Sequence, residues 1–213
     1  DSVADVAIAV KTDNKELLKK INKGLKHLKE NGLKEPDFVA ISHSHWDHSY
    51  GLSYLNAVSI ACDKTNALLR EMAEWKWSEN MLTEYVAEDK IPLFCEPHIR
   101  LEYPDLSEIK VKPADIEFKS EMTIDLGNQP CILKNVVSPH TDDCVIVYIP
   151  NEKVVFLGDS IYEELVRDQW IGHSDKLSQL IAELEKLDFT ISVEGHFAPK
   201  TKDELLTALR EKL

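Results

Sequence analysis

Histidine and carboxylate crowd into a few short stretches of this 213-residue chain, and no other feature limits its fold as much. Five of the eight histidines fall in three clusters. The densest is His43-Ser44-His45-Trp46-Asp47-His48, four potential metal ligands within six residues. The others are Ser138-Pro139-His140-Thr141-Asp142-Asp143 and Glu194-Gly195-His196, with Leu157-Gly158-Asp159 between them. Imidazole and carboxylate suit zinc and similar borderline divalent ions. Burying such groups unpaired costs several kcal/mol, so a hydrophobic core has no use for the first cluster. His27, His98 and His173 stand alone and read as structural or exposed.

The rest of the composition is that of an ordinary globular protein, 43% hydrophobic and 30% charged. The length fits one domain that can bury its core without disulfides. No apolar run reaches transmembrane length, so no membrane partner is expected. A formal charge of −13 repels phosphate backbones and argues against nucleic acid as a partner. The one basic stretch, residues 15–29, alternates lysine with apolar positions and reads as a solvated helix face. Cys62, Cys95, Cys131 and Cys144 show no C-x-x-C spacing, which points to buried thiols in a reducing, cytoplasmic compartment.

Along the chain, residues 3–10 read as a strand or extended entry. Asp13 with Glu16 caps a helix carried by Leu17, Leu18, Ile21, Leu25 and Leu28 and ended by Gly32. Residues 38–41 form a buried strand and residues 57–61 the next. Residues 63–90 read as helical, with Trp75, Trp77 and Tyr85, inside an aromatic insertion spanning about residues 63–98. Residues 99–150 read as several strands, with turns at Pro104-Asp105, Pro113-Ala114 and Gly127-Asn128. Residues 144–149 and 154–157 flank a hairpin connection at Pro150-Asn151-Glu152-Lys153. Ser174 is placed to cap a helix through Lys186, residues 189–193 form a strand, and Thr201 with Glu204 makes a capping box. The expected class is a layered α/β or α+β domain. His43, His140, Asp159 and His196 each follow an apolar strand, so strands packed side by side bring them to one sheet edge.

In these residues the chain resembles the metallo-β-lactamase-fold hydrolases. Their H-x-H-x-D-H signature is matched by His43, His45, Asp47 and His48, and the later ligands by His140, Asp159 and His196, in order. The resemblance spans residues 1 to about 200 and implies a four-layer αββα sandwich with the site at one edge of two facing sheets. It implies one metal on His43, His45 and His140, a second on Asp47, His48 and His196, and Asp159 bridging both. It further implies two divalent ions, zinc first with iron or manganese also fitting, about 3.5–4 Å apart and sharing a hydroxide. The reaction expected is hydrolysis of a small ester, lactone or thioester, with Asp47 moving a proton.

Departures from the family pattern mark specificity. Pro139 and Tyr50 stand where glycines are usual, and Tyr50 projects either to the site or into the core. Tyr162 lies three residues after Asp159, an interval at which the similar acyl-homoserine lactonases place a tyrosine that hydrogen-bonds the substrate carbonyl; packing is the other reading. Trp75 and Trp77 either cover the site or pack their helix, and Asp142 or Asp143 either orients a ligand histidine or caps a turn. Asp1-Ser2 reads as the remnant of a family turn that two opening strands would precede. Two other reactions share these ligands. One is a mononuclear-iron oxygenase like the persulfide dioxygenases, and the other is phosphodiester cleavage, which the −13 charge disfavours.

Overall fold

A computed structural model describes residues 36–213. The expected entry strand, the first helix with its lysine face, His27 and Asp1-Ser2 lie outside the described residues. A three-stranded parallel sheet is ordered β1 (Phe38–Ala40), β2 (Val58–Cys62), β3 (Ile116–Phe118). A six-stranded mixed sheet is built from β4 (Glu121–Asp125), β5 (Pro130–Asn135), β6 (Val145–Ile149), β7 (Val154–Gly158), β10 (Ile191–Glu194) and β11 (Lys200–Thr201). Its order is β11-β10-β7-β6-β5-β4. Between β7 and β10 in sequence, β8 (Glu164–Val166) and β9 (Gln169–Ile171) form a separate hairpin.

The two large sheets face each other. Ile60, Cys62 and Phe118 of the smaller sheet pack on Cys131, Leu133, Val145, Val147 and Ile149 of the larger. The far face of the larger sheet takes α5 (Ser174–Lys186) and α6 (Lys202–Arg210). On α5 Leu177, Leu180, Ile181 and Leu184 recur at helical spacing and are buried against Ile146, Val155 and Leu157. Strand β6 is covered on both faces, which is why VIVYI reads as a continuous apolar run rather than an alternation. The edge strand β4 alternates instead, with Glu121, Thr123 and Asp125 outward. The architecture is the expected mixed α/β sandwich with helices outside.

Three local expectations hold, and a fourth, that the cysteines are buried, holds for three of the four. The 150–153 connection joins β6 to β7 with Lys153 at φ 53°, and Gly127 and Asn128 turn at positive φ between β4 and β5. Thr201 and Glu204 make both halves of the capping box. Cys62, Cys131 and Cys144 are buried thiols, whereas Cys95 is only half-buried.

Two expectations are corrected. Strands do not begin at residue 99: α4 (Glu96–Glu102) occupies it, with Pro97 in its first turn, and the first strand after it is β3 at residue 116. Pro fits the first turn of a helix because its missing N–H has no partner there. Ser174 is the first residue of α5, not its cap; His173 holds the cap position and its side chain makes no capping bond.

Between β2 and β3 the chain forms α2 (Asp63–Ala73), α3 (Glu79–Ala87) and α4. Tyr50, Leu82, Tyr85, Ile91, Ile99, Leu106 and Ile109 form their core, with Trp75 and Trp77 packed against it.

Candidate metal centre

Strands β5, β7 and β10 run in the same direction, because β10 is parallel to β7 and β5 and β7 are both antiparallel to β6. Their C-terminal ends therefore share one edge, and they lead to His140, Asp159 and His196. The loop after β1 reaches the same edge, where Val145 N–H donates to the Ser42 carbonyl at 2.7 Å. That loop runs into the short helix α1 (Trp46–Ser49), which carries Asp47 and His48.

Two glycines make the convergence possible. Gly158 ends β7 at φ +52°, and a Cβ there would sit 2.8 Å from Ser42 Cβ. Its carbonyl accepts Gly195 N–H at 2.8 Å. A Cβ on Gly195 would collide with Asp159 Oδ1 and lie 3.2 Å from His48 Cε1. Only glycine lets the last loop come this close.

The ligand atoms fall into groups within 4.8 Å: His43, His45 and His140; His43, His48 and Asp159; Asp47, His48 and His196. All seven sequence-predicted residues are thus brought together. His140 Nε2 lies 3.1 Å from His45 Nδ1, and His48 Nε2 lies 3.4 Å from His196 Nε2. Asp159 Oδ2 sits among them, 2.9 Å from His196 Nε2, 3.3 Å from His48 Nε2 and 3.7 Å from His140 Nε2. Corners of a tetrahedron about 2.0–2.1 Å from a zinc ion are roughly 3.4 Å apart, so these spacings fit a divalent metal. Two buried atoms of the group, His43 Nε2 and Asp159 Oδ1, have no hydrogen-bond partner. Leaving such atoms unpaired costs about 1–3 kcal/mol each, and metal coordination is the chemistry that satisfies both.

The opposite ring nitrogens are held from behind. Ser42 Oγ lies 3.2 Å from His43 Nδ1 and 3.5 Å from His48 Nδ1, and His140 Nδ1 meets the Glu163 carbonyl at 2.8 Å. These contacts aim Nε2 of all three rings inward. Asp143 does not orient a histidine. Its carboxylate accepts Ser44 N–H, and Asp142 pairs at the surface with Lys176.

Electrostatics favour ligation. Burial, reinforced by neighbouring histidines, holds His43 well below its ordinary pKa and lowers His45 to about 4. Both rings are neutral at pH 7, with lone pairs available. Burial of Asp159 works to raise its pKa, but hydrogen bonds from His196 and His48 outweigh it and the net shift is down.

The centre forms the floor of a cavity of about 1080 Å³ whose lining includes Asp47, Trp75, Phe94, Tyr162, Trp170 and Phe197. Tyr162 stacks on His196, its hydroxyl donating to Glu194 Oε2 and accepting His196 N–H, both at 3.3 Å. Glu194 is buried and also pairs with Lys200. Burial, then the Glu194 charge, pushes the Tyr162 phenol upward. Tyr50 is buried, with its hydroxyl 3.4 Å from Met72 Sδ, and it also lines the cavity, so it belongs to the core and to the cavity wall at once. Trp75 packs on Tyr85 at 4.6 Å between ring centroids and also lines the cavity, so both readings of it hold. His98 lines the cavity too, and His173 pairs with Glu164. Ser42, Phe94, Trp170 and Phe197 escaped the sequence reading, and Glu194 figures in it only as part of the third cluster, without its bond to Tyr162.

No curated protein matches the chain by sequence. Among solved structures, a metallo-beta-lactamase from Pontibacter korlensis is 17% identical with a TM-score of 0.58, over 98% of this chain and 84% of that one. A stereoselective inverting sec-alkylsulfatase from Pseudomonas sp. is 15% identical with a TM-score of 0.60, over 96% of this chain and 36% of that one. An archaeal metallo-beta-lactamase superfamily protein from Sulfolobus tokodaii is 17% identical with a TM-score of 0.54, over 85% of this chain and 69% of that one. At such identities the likeness speaks for the fold alone. The family described as the metallo-beta-lactamase superfamily matches residues 11–196, a span that ends on the last of the clustered histidines. The chain therefore belongs to the metallo-beta-lactamase superfamily and is, at that level, a metal-dependent hydrolase.

Proposed function

We propose that the chain is a dinuclear zinc hydrolase of a small ester, lactone or thioester. The observation that carries this reading is the position of Asp159 Oδ2, within 3.7 Å of ring nitrogens from both outer ligand groups. His43, His45 and His140 would hold one ion, Asp47, His48 and His196 the other, and Asp159 would touch both. Two such ions supply ionised water near neutral pH, against a free-water pKa of about 15.7, and polarise a carbonyl oxygen.

The chain's own groups do the rest. Asp47 and Asp159 offset the charge of the centre. Asp47 also faces the cavity, where it accepts the proton of the attacking water and passes it to the leaving group. The aromatic walls keep bulk water from the floor. The Tyr162 hydroxyl reaches a substrate carbonyl only by giving up its bond to Glu194. The formal charge of −13 favours a small molecule over a polynucleotide. Four cysteines without a disulfide suit a reducing compartment such as the cytoplasm.

Metal quantification on the isolated protein, with a screen of ester, lactone, thioester, β-lactam and phosphodiester substrates, tests the reading. About two zinc ions per chain and metal-dependent turnover of an acyl substrate are expected. One iron per chain with oxygen uptake would replace it with the oxygenase. Asp47→Asn with both ions bound and full turnover would remove Asp47 from the proton path.

A further inference from the structure

The cavity above the centre is large and its walls are mostly apolar. At about 1080 Å³ it sits at the upper end of the range for small-molecule sites. One wall comes from the segment between β2 and β3 and includes Leu68, Trp75 and Phe94. The facing wall includes Leu165 and Trp170 of the β8–β9 hairpin and Phe197 beside the last ligand.

The two walls are joined at the rim. Asp168 Oδ1 accepts Phe94 N–H at 2.8 Å, and the Phe94 and Trp170 rings approach to 6.0 Å. On the lining, Phe197 is 65% exposed, Trp170 52% and Phe94 44%, and the last two adjoin each other. Contiguous exposed apolar surface of this kind marks a ligand or partner site.

Of the charged residues on the lining, Lys90 is paired with Glu88 at 2.8 Å. Glu71, Glu163 and Lys212 also line the cavity. The apolar contact that a substrate meets comes from the leucine and aromatic side chains of the two facing walls.

We infer that this cavity is an acyl-chain subsite and that the substrate carries an extended aliphatic acyl group of about eight to twelve carbons. The inference rests on the hydrolase reading for its reacting group, but on the walls alone for its chain. A fully buried methylene is worth about fourfold in binding. Along a cleft open on one side the gain is about twofold per methylene.

Two measurements test it separately. In the first, the zinc-loaded protein is assayed on p-nitrophenyl esters from acetate to dodecanoate, below their micelle concentrations. kcat/KM should climb about twofold per added methylene up to about ten carbons, then level. Trp170→Ala and Phe197→Ala should each lower dodecanoate turnover at least about tenfold more than acetate turnover. Metal-dependent turnover with a flat or falling chain-length profile would overturn the subsite and leave the hydrolase standing.

In the second, butanoate, octanoate and dodecanoate are titrated against tryptophan fluorescence. Saturable binding that tightens with chain length, and weakens in both variants, supports the subsite even if no ester is turned over. Equal or absent binding of the three acids would overturn it. So would partition to phosphatidylcholine vesicles without saturable acid binding, which would reassign the aromatic rim to a lipid surface.

Discussion

Asp143 Oδ2 accepts the backbone N–H of Ser44 at 2.8 Å across 99 residues of chain. The same carboxylate takes the hydroxyls of Thr65 at 3.0 Å and Thr141 at 2.5 Å, and the residue is 3% exposed. It therefore ties the first histidine loop to the loop carrying His140.

Replacing this tie should damage both stability and metal binding. Asp143→Ala leaves the buried Ser44 N–H without its acceptor, at a cost of about 1–3 kcal/mol, while Thr65 keeps the residue's backbone carbonyl as a partner. The loosened loop should bind zinc about 10- to 100-fold more weakly. Urea unfolding and chelator competition read the two effects, and a variant unchanged in both would show that the contact is incidental.

Gly195→Ala should empty the centre with little change elsewhere. Its methyl would press on the Asp159 carboxylate and on His48, forcing shifts that cost about 1–3 kcal/mol. Gly51→Ala is the control, since a Cβ there meets nothing within 4 Å. Metal content by mass spectrometry should fall for the first variant and hold for the second.

Acid should weaken the metal-free protein through its histidines. His45 titrates at about 4 when folded against 6.5 as the ordinary value, and His43 is shifted in the same direction. Between those values the unfolded chain binds protons that the folded one does not, so stability falls as pH drops from 6.5 towards 4. Well above pH 6.5 the rings are neutral in both states and this dependence vanishes. Urea unfolding of chelator-treated protein at pH 5 and 7.5 should show the loss at the lower pH, and His45→Gln should shrink it.

Tyr162→Phe separates two roles for one hydroxyl. The bond to Glu194 already uses its proton, so the variant should lose about 1 kcal/mol of stability and less than about tenfold in turnover. A loss of several hundredfold in kcat at unchanged stability would assign the hydroxyl to the substrate carbonyl instead.

Thiol labelling should follow burial. Burial pushes the Cys144 thiol up to about 12 and raises Cys131 as well, while half-buried Cys95 lines the cavity. Iodoacetamide on the native protein should modify Cys95 first and leave Cys131 and Cys144 intact until denaturant is added. Peptide mapping checks the order, and early loss of Cys144 would contradict the packing of α5 on the sheet.

The metal ligands were legible in the sequence because each must be a specific chemical type just past a strand, and strands announce themselves by apolar pattern. The hairpin at residues 164–171 was not legible. Its turn places Arg167 and Asp168 at positive φ, where Asn-Gly or Asp-Gly would have signalled it. The α4 segment misled because Ile99, Leu101 and Tyr103 alternate like a strand, while its helical start rests on Pro97. Buried carboxylates such as Asp143 and Glu194 are set by donors far along the chain, so no local pattern distinguishes them from surface acids. Tyr50 and Trp75 were left between site and core, and the structure shows why: the core of that segment is also the outer side of the cavity wall.

The β8–β9 hairpin joins neither large sheet in hydrogen-bonded order. It stands beside the scaffold like an exchangeable jaw, clasped to the opposing segment through Asp168 and Phe94. Lengthening it, shortening it or changing its aromatics alters what can enter while every ligand-bearing strand keeps its register. A lineage built on this chain can therefore change its diet by editing about eight residues, and keep its chemistry throughout.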